Sequence, residues 1–184
     1  GGITPVWVQQ LRQAAIARFT EMGFPTTQEE AWRHTSVASL SESPFPLARH
    51  RCAIPRAELE PVMSWMGAGC RLVFVNGSFS SPHSSLLPLP HGMNAGSLAG
   101  ALGGDSSLLE SHLGRYARCE DHAFVALNTA FLSDGAVVYI PPNTVVEEPL
   151  HLLFVSSPNG RATMSHPRTV IVAGPHSRAT IVES

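Results

Sequence analysis

There is no lysine in these 184 residues, and all twelve cationic side chains are arginine. That absence removes both the lysine of a phosphate-binding loop and a Schiff-base lysine. Cysteine is scarce. Cys52, Cys70 and Cys119 are odd in number and far apart, which fits neither a disulfide framework nor a Cys-x-x-Cys metal site and suits a reducing cytosol. They read as small apolar core residues. Charged residues make up only 14%, the net charge is −2, and the arginines are scattered, so phosphate-backbone binding to nucleic acid is not expected. No apolar run approaches the roughly 20 residues that cross a bilayer. The opening Gly1-Gly2-Ile3-Thr4-Pro5 has no basic stretch leading into an apolar one, so no signal peptide is read.

Catalytic patterns are also missing. Ser84 and Ser85 lie in a Ser/Pro-rich stretch without a Gly-x-Ser-x-Gly elbow. Cys119 is followed by Glu120, Asp121 and His122; with two carboxylates beside it, it is a poor thiolate nucleophile and reads as a helix start. The nine histidines contain no His-x-His pair and no pair at i, i+4 spacing. A cupin-like, metal-dependent β-barrel enzyme is the main enzymatic alternative, but His166, His176 and Glu183 are too loosely spaced for its ligand cluster.

What is present is a folding chain, 43% hydrophobic and long enough for one or two domains. Its texture is helix and loop to about Phe131, and strand and turn from about Gly135. The domains are read as 1–120, helical with loops, and 121–184, the start of a β-rich core. Trp7, Val8, Leu11, Ala15, Phe19 and Met22 recur in steps of three and four, predicting a helix capped by Thr4 and stopped by Gly23. Thr27 to Glu30 reads as a capping box ahead of Trp32. Arg71 to Val75 is a strand ended by an Asn76-Gly77 turn, and Ser81 to Gly96 reads as loop. Short helices follow from Ser97 to Leu102 and from Asp105 or Ser106 to about Tyr116. A last helix, His122 to about Leu132, is expected to bury Phe124, Leu127 and Phe131. Asp134-Gly135 then turns the chain into short strands at Val137–Ile140, Leu150–Val155, Thr169–Val172 and Thr180–Val182. On spacing alone, a sandwich, a barrel and a β-solenoid remain open.

The segment Ala123 to Gly135, with Asn128-Thr129 inside it, followed by Ile140-Pro141-Pro142 and Glu148-Pro149-Leu150, resembles the SufB/SufD family of iron–sulfur cluster assembly proteins. Glu30-Ala31-Trp32-Arg33-His34-Thr35 resembles that family's Glu-x-Trp-Arg motif. Val73 to Gly77, Leu87 to Gly92 and His166 to Val172 also match, the last in the manner of the SufD branch. The resemblance implies an α+β fold, an N-terminal helical domain followed by the first rungs of a right-handed parallel β-helix. It implies a non-catalytic, cytoplasmic scaffold that pairs with SufB and docks the SufC ATPase. The iron–sulfur cluster would be assembled by the whole complex, with no cofactor held by this chain. The docking segment and cluster-building residues would lie beyond Ser184. A homodimer through the strands after about Leu150 is also expected, because a β-helix cut after its first rungs leaves an open edge.

The residues singled out are therefore structural: Asn128, Thr129, Asp134, Gly135 and Arg168. Asn128 and Thr129 are polar groups in an apolar helix and need partners, a role read as pinning that helix to the first rung. Arg168 is read as an ion-pair partner of Glu147, Glu148 or Glu183, or as a rung-edge arginine.

Overall fold

A computed structural model of the chain describes residues 4–48, 54–66, 69–86, 88–157 and 162–184. The chain forms two compact units, Gly1–Pro46 with Leu102–Leu132, and Leu47–Ala101 with Ser133–Ser184. Residue 120, where the sequence reading divides the chain, lies inside the first.

The first unit is helical. Its long helix α1 spans Val6–Met22 and turns Val8 and Ala15 fully inward, with Trp7, Leu11, Phe19 and Met22 half-buried on the same stripe. Pro5, not Thr4, is the N-cap, and it makes no side-chain capping bond. Gly23 ends the helix at φ 69, its N–H returning to the Phe19 carbonyl, in the left-handed conformation glycine adopts without strain. The capping box lies one residue earlier than expected. Thr26 N–H donates to Glu29 Oε1 at 2.9 Å, and Gln28 N–H to Thr26 Oγ1 at 3.3 Å. A 3₁₀ turn at Glu30–Trp32 follows. The short helix α2, Ala38–Glu42, also belongs to this unit.

After the short helix α5, Ser107–His112, helix α6, Ala123–Ala130, packs against α1. It buries Ala126 and Thr129, whereas the expected core residues Phe124, Leu127 and Phe131 are only half-buried. The helix is apolar almost all round, so periodicity could not select its inner face. Its small residues let the α1 backbone approach, while Phe124 turns to an aromatic cluster. Ring centroids are 5.2 Å from Phe124 to Trp32 and 6.0 Å to Phe24, with Phe24 edge-on to Phe19 at 5.1 Å. Phe124→Ala should cost about 1–3 kcal/mol, below the range for a fully buried phenylalanine, read from urea unfolding.

The second unit is built on two small sheets. In the first, of order β2-β1-β5-β7, the members are Ser78–Phe79, Arg71–Val75, Leu150–Val155 and Ile181–Glu183. The second has order β3-β4-β6, with Asn94–Ser97, Ala136–Ile140 and Val170–Ala173. β1–β5, β5–β7 and β4–β6 are parallel, whereas β1–β2 and β3–β4 are antiparallel. Asn76 and Gly77 both have positive φ, 49° and 79°, as the tight β1–β2 turn requires.

The expected first rungs of a right-handed parallel β-helix are not what this unit forms. Both sheets are mixed, and each takes an antiparallel strand from residues 71–97, a stretch assigned to the helical and loop domain. The four late strands lie where expected, but short apolar runs reveal a strand without revealing its partner. β3 was hidden because Asn94-Ala95-Gly96-Ser97 carries no β-branched or aromatic residue.

The two sheets bury Leu72, Phe74, Leu150 and Leu152 against Ala136, Val138 and Ile140. The other face of the first sheet, with Val73, Val75 and Leu153, packs under Leu59 and Met63 of α3, Arg56–Met63. β1 is thus covered on both faces, which explains its unbroken apolar run. Leu152 is fully buried, and Leu152→Ala should lower the unfolding free energy by about 2–5 kcal/mol through lost transfer energy plus a cavity.

Candidate functional site

Asp134 is a highly connected polar group of the second unit and is only 4% exposed. Its Oδ1 accepts from Ser97 Oγ at 2.7 Å, Ala99 N–H at 3.0 Å and Gly135 N–H at 2.8 Å; Oδ2 accepts from Phe79 N–H at 2.8 Å. Its backbone carbonyl receives Arg168 N–H at 3.1 Å, and the next carbonyl, of Gly135, receives Leu98 N–H at 2.8 Å. One carboxylate therefore ties the end of the β1–β2 hairpin and the start of helix α4, Leu98–Leu102, to the residue leading into β4. Ser97 completes the helix start by accepting Gly100 N–H at 3.1 Å, the usual service of an N-cap serine.

Gly135 has φ 148°, and a Cβ built on it would overlap the backbone of Arg168. The close approach of two backbones is the reason for glycine there. Arg168 enters the site through its main chain. Glu183, one of its anticipated ion-pair partners, accepts from Thr169 Oγ1 at 3.3 Å.

Of the five residues marked in the sequence, Asp134, Gly135 and Arg168 meet in the second unit, whereas Asn128 and Thr129 lie on α6 in the first. Thr129 is buried and donates to the Val125 carbonyl, 2.8 Å away and one turn back; Asn128 is half-buried. Sequence reasoning missed Ser97 and the Phe79 and Ala99 amides as Asp134's partners. Ser97 was legible as a helix start, but two backbone amides leave no trace in a sequence.

Among the described residues, hydrolytic and metal chemistry find no assembled site. Ser84 Oγ accepts Val73 N–H at 2.9 Å and donates to the Ser80 carbonyl at 2.8 Å, and Ser80 Oγ sits 2.7 Å from His83 Nδ1. These bonds close a 3₁₀ turn at Ser81–His83. Among the described residues no group of three or more His, Cys, Asp or Glu side chains could hold a metal ion. Cys70 is buried and Cys119 half-buried; Cys52 lies outside the described residues. No helix among the described residues is long and apolar enough to cross a membrane.

Burial pulls the His166 pKa below its ordinary value. The fold therefore favours the neutral ring, and this contribution to stability is complete above the unfolded-state value near 6.5 and declines as pH falls through it. Urea midpoints should drop between pH 7.5 and pH 5, and His166→Gln should flatten that drop.

Residues 4–152 match the family model described as the SufBD protein N-terminal region. The chain belongs to the SufBD family. A SufBD family protein of Synechocystis, named for iron–sulfur cluster assembly, is 30% identical over 173 residues, which is 94% of this chain and 38% of that protein. The iron–sulfur cluster assembly protein SufD of Bacillus subtilis is 36% identical over 67 residues, 36% of this chain and 15% of the relative. A chloroplastic SufBD family protein of Arabidopsis thaliana is 39% identical over 66 residues, 36% of this chain and 12% of its own length. The chain thus spans well under half the length of these relatives. The SufBD match, 4–152, includes the Glu30–Trp32 turn, the β1–β2 hairpin and the Asp134–Gly135 junction, but not Arg168.

Proposed function

We propose that this chain is the N-terminal part of a non-catalytic scaffold subunit of the SufD type, acting in the cytoplasm. It pairs with SufB and works beside the SufC ATPase, while the whole complex assembles the iron–sulfur cluster. The observation that carries this reading is the family match over residues 4–152, joined to relatives named for iron–sulfur cluster assembly. The geometry agrees with a structural role. The buried Asp134 carboxylate accepts four hydrogen bonds from its own unit, and the one hydroxyl among those donors, Ser97 Oγ, is itself engaged as acceptor of Gly100 N–H at the start of α4. The test is co-expression of the tagged chain with SufB and SufC from the same organism, followed by affinity purification and metal analysis. Co-elution of SufB in near-equal amount is expected. A chain that elutes alone overturns the pairing, and stoichiometric zinc or iron bound to it overturns the non-catalytic reading.

A further inference from the structure

The helical unit carries an open cleft of about 350 Å³ where the end of α1, the turn after it and the start of α6 come together. Among the described residues its lining includes Met22, Glu29, Trp32, Asp121, His122 and Phe124, and no arginine. Three features give it one chemical character. The rings of Trp32 and Phe124, 5.2 Å apart and inclined at 46°, form an aromatic corner, and both residues are only half-buried. Two carboxylates, Glu29 and Asp121, stand on the exposed rim. The 17-residue helix α1 ends there with no basic residue in its last turn, so the negative pole of its dipole is uncompensated from within the helix.

The neighbouring cations do not cancel this surplus. Arg18 bonds Glu21 at 3.0 Å and the Glu120 carbonyl at 2.8 and 2.6 Å, and Arg33 lies 4.0 Å from Glu30. His122, as a cation, and the positive pole of the shorter helix α6 oppose it; Asp121 directly precedes the N-cap of that helix, His122.

We propose that this cleft binds the side chain of an arginine presented by a partner protein. A planar guanidinium stacks on aromatic faces and donates in a fork to carboxylates, which an ammonium does less well. The cleft is open to solvent and suits a side chain held by a larger body. It also gives Trp32, in the Glu30-Ala31-Trp32-Arg33 segment, a task beyond packing, since its ring supplies one wall, while Glu29 just before that segment both closes the turn through Thr26 and offers charge. The inference rests on the helical unit alone and is independent of the scaffold reading.

The probe is an acetyl-Gly-Arg-Gly-amide peptide titrated into the isotopically labelled 184-residue chain, with the citrulline peptide as its uncharged counterpart. The Trp32 indole N–H resonance is assigned by its loss in Trp32→Phe. The arginine peptide should shift that resonance together with the Val125 amide, and the citrulline peptide should not. Asp121→Asn, at an exposed position, should weaken the arginine titration roughly two- to fivefold while the remaining amide spectrum stays in place. Equal shifts with both peptides, no shift with either, or an unchanged Asp121→Asn titration would each overturn the proposal.

Discussion

Replacing Asp134 by alanine should lower the unfolding free energy by about 3–5 kcal/mol. The loss comes less from the side chain's own burial than from what it leaves behind. The amides of Phe79, Ala99 and Gly135 and the hydroxyl of Ser97 all donate to this carboxylate, and an unsatisfied buried donor costs about 1–3 kcal/mol. The sum is less than additive because Ser97 can turn its hydroxyl elsewhere. Asp134→Asn separates the two oxygens. An asparagine oxygen at Oδ1 keeps three of the four donors, while its amide nitrogen faces the Phe79 N–H, donor against donor. The asparagine variant should therefore lose less than the alanine variant, and its hydrogen exchange should quicken first at Phe79. Equal exchange rates at Phe79 in wild type and Asp134→Asn would show that the carboxylate does not hold the hairpin.

Gly135→Ala should be about as damaging, at about 3–5 kcal/mol, for a different reason. At φ 148° the residue occupies a backbone region closed to side chains, and its Cβ would meet the Arg168 main chain. Backbone atoms cannot swing aside as the end of a side chain can, so the strain must be relieved by separating residue 135 from residue 168. That movement disturbs the Arg168 N–H to Asp134 carbonyl bond and the β4–β6 pairing that begins two residues later at Val137↔Val170. Gly96→Ala is the control. It lies on β3 in the same unit with nothing within 4 Å of the new methyl group, and should change stability by less than about 1 kcal/mol. If the two variants unfold alike in urea, the contact between backbones is not what demands glycine at 135.

The ease with which these features could be read from sequence follows from how local their causes are. The Asn76-Gly77 turn, the Gly23 stop and the four late strands each depend on a few adjacent residues, and the structure places them where expected. The capping box slipped by one residue because Thr26 and Thr27 are equally able to serve. The fold class could not be read this way. β1 and β3 join strands that follow α6, and nothing in Arg71–Val75 or Asn94–Ser97 states which distant run will be the partner. At the site, Asp134-Gly135 was legible as a turn, but its carboxylate's use was not, since two of its four donors are main-chain amides far away in sequence. The aromatic corner was half legible. Trp32 and Phe124 were each marked, but only the packing of α6 against α1 brings them together.

The parallel pairing of β1 with β5 matches Arg71 to His151, eighty positions further along. During synthesis β1 therefore leaves the ribosome long before its principal partner exists, accompanied by the two-residue strand β2 and the Ser85 bridge to Arg71. Its apolar residues must wait, and Phe74 and Val75 are exposed to pairing with other nascent chains for all that time. The ordering entropy of so long a loop must be met before the contact is rewarded, which makes this sheet a late event in folding and its unit a slow one for its size. Helix α3, which immediately precedes β1 and covers one of its faces in the finished unit, is the local element able to shield the strand in the interval.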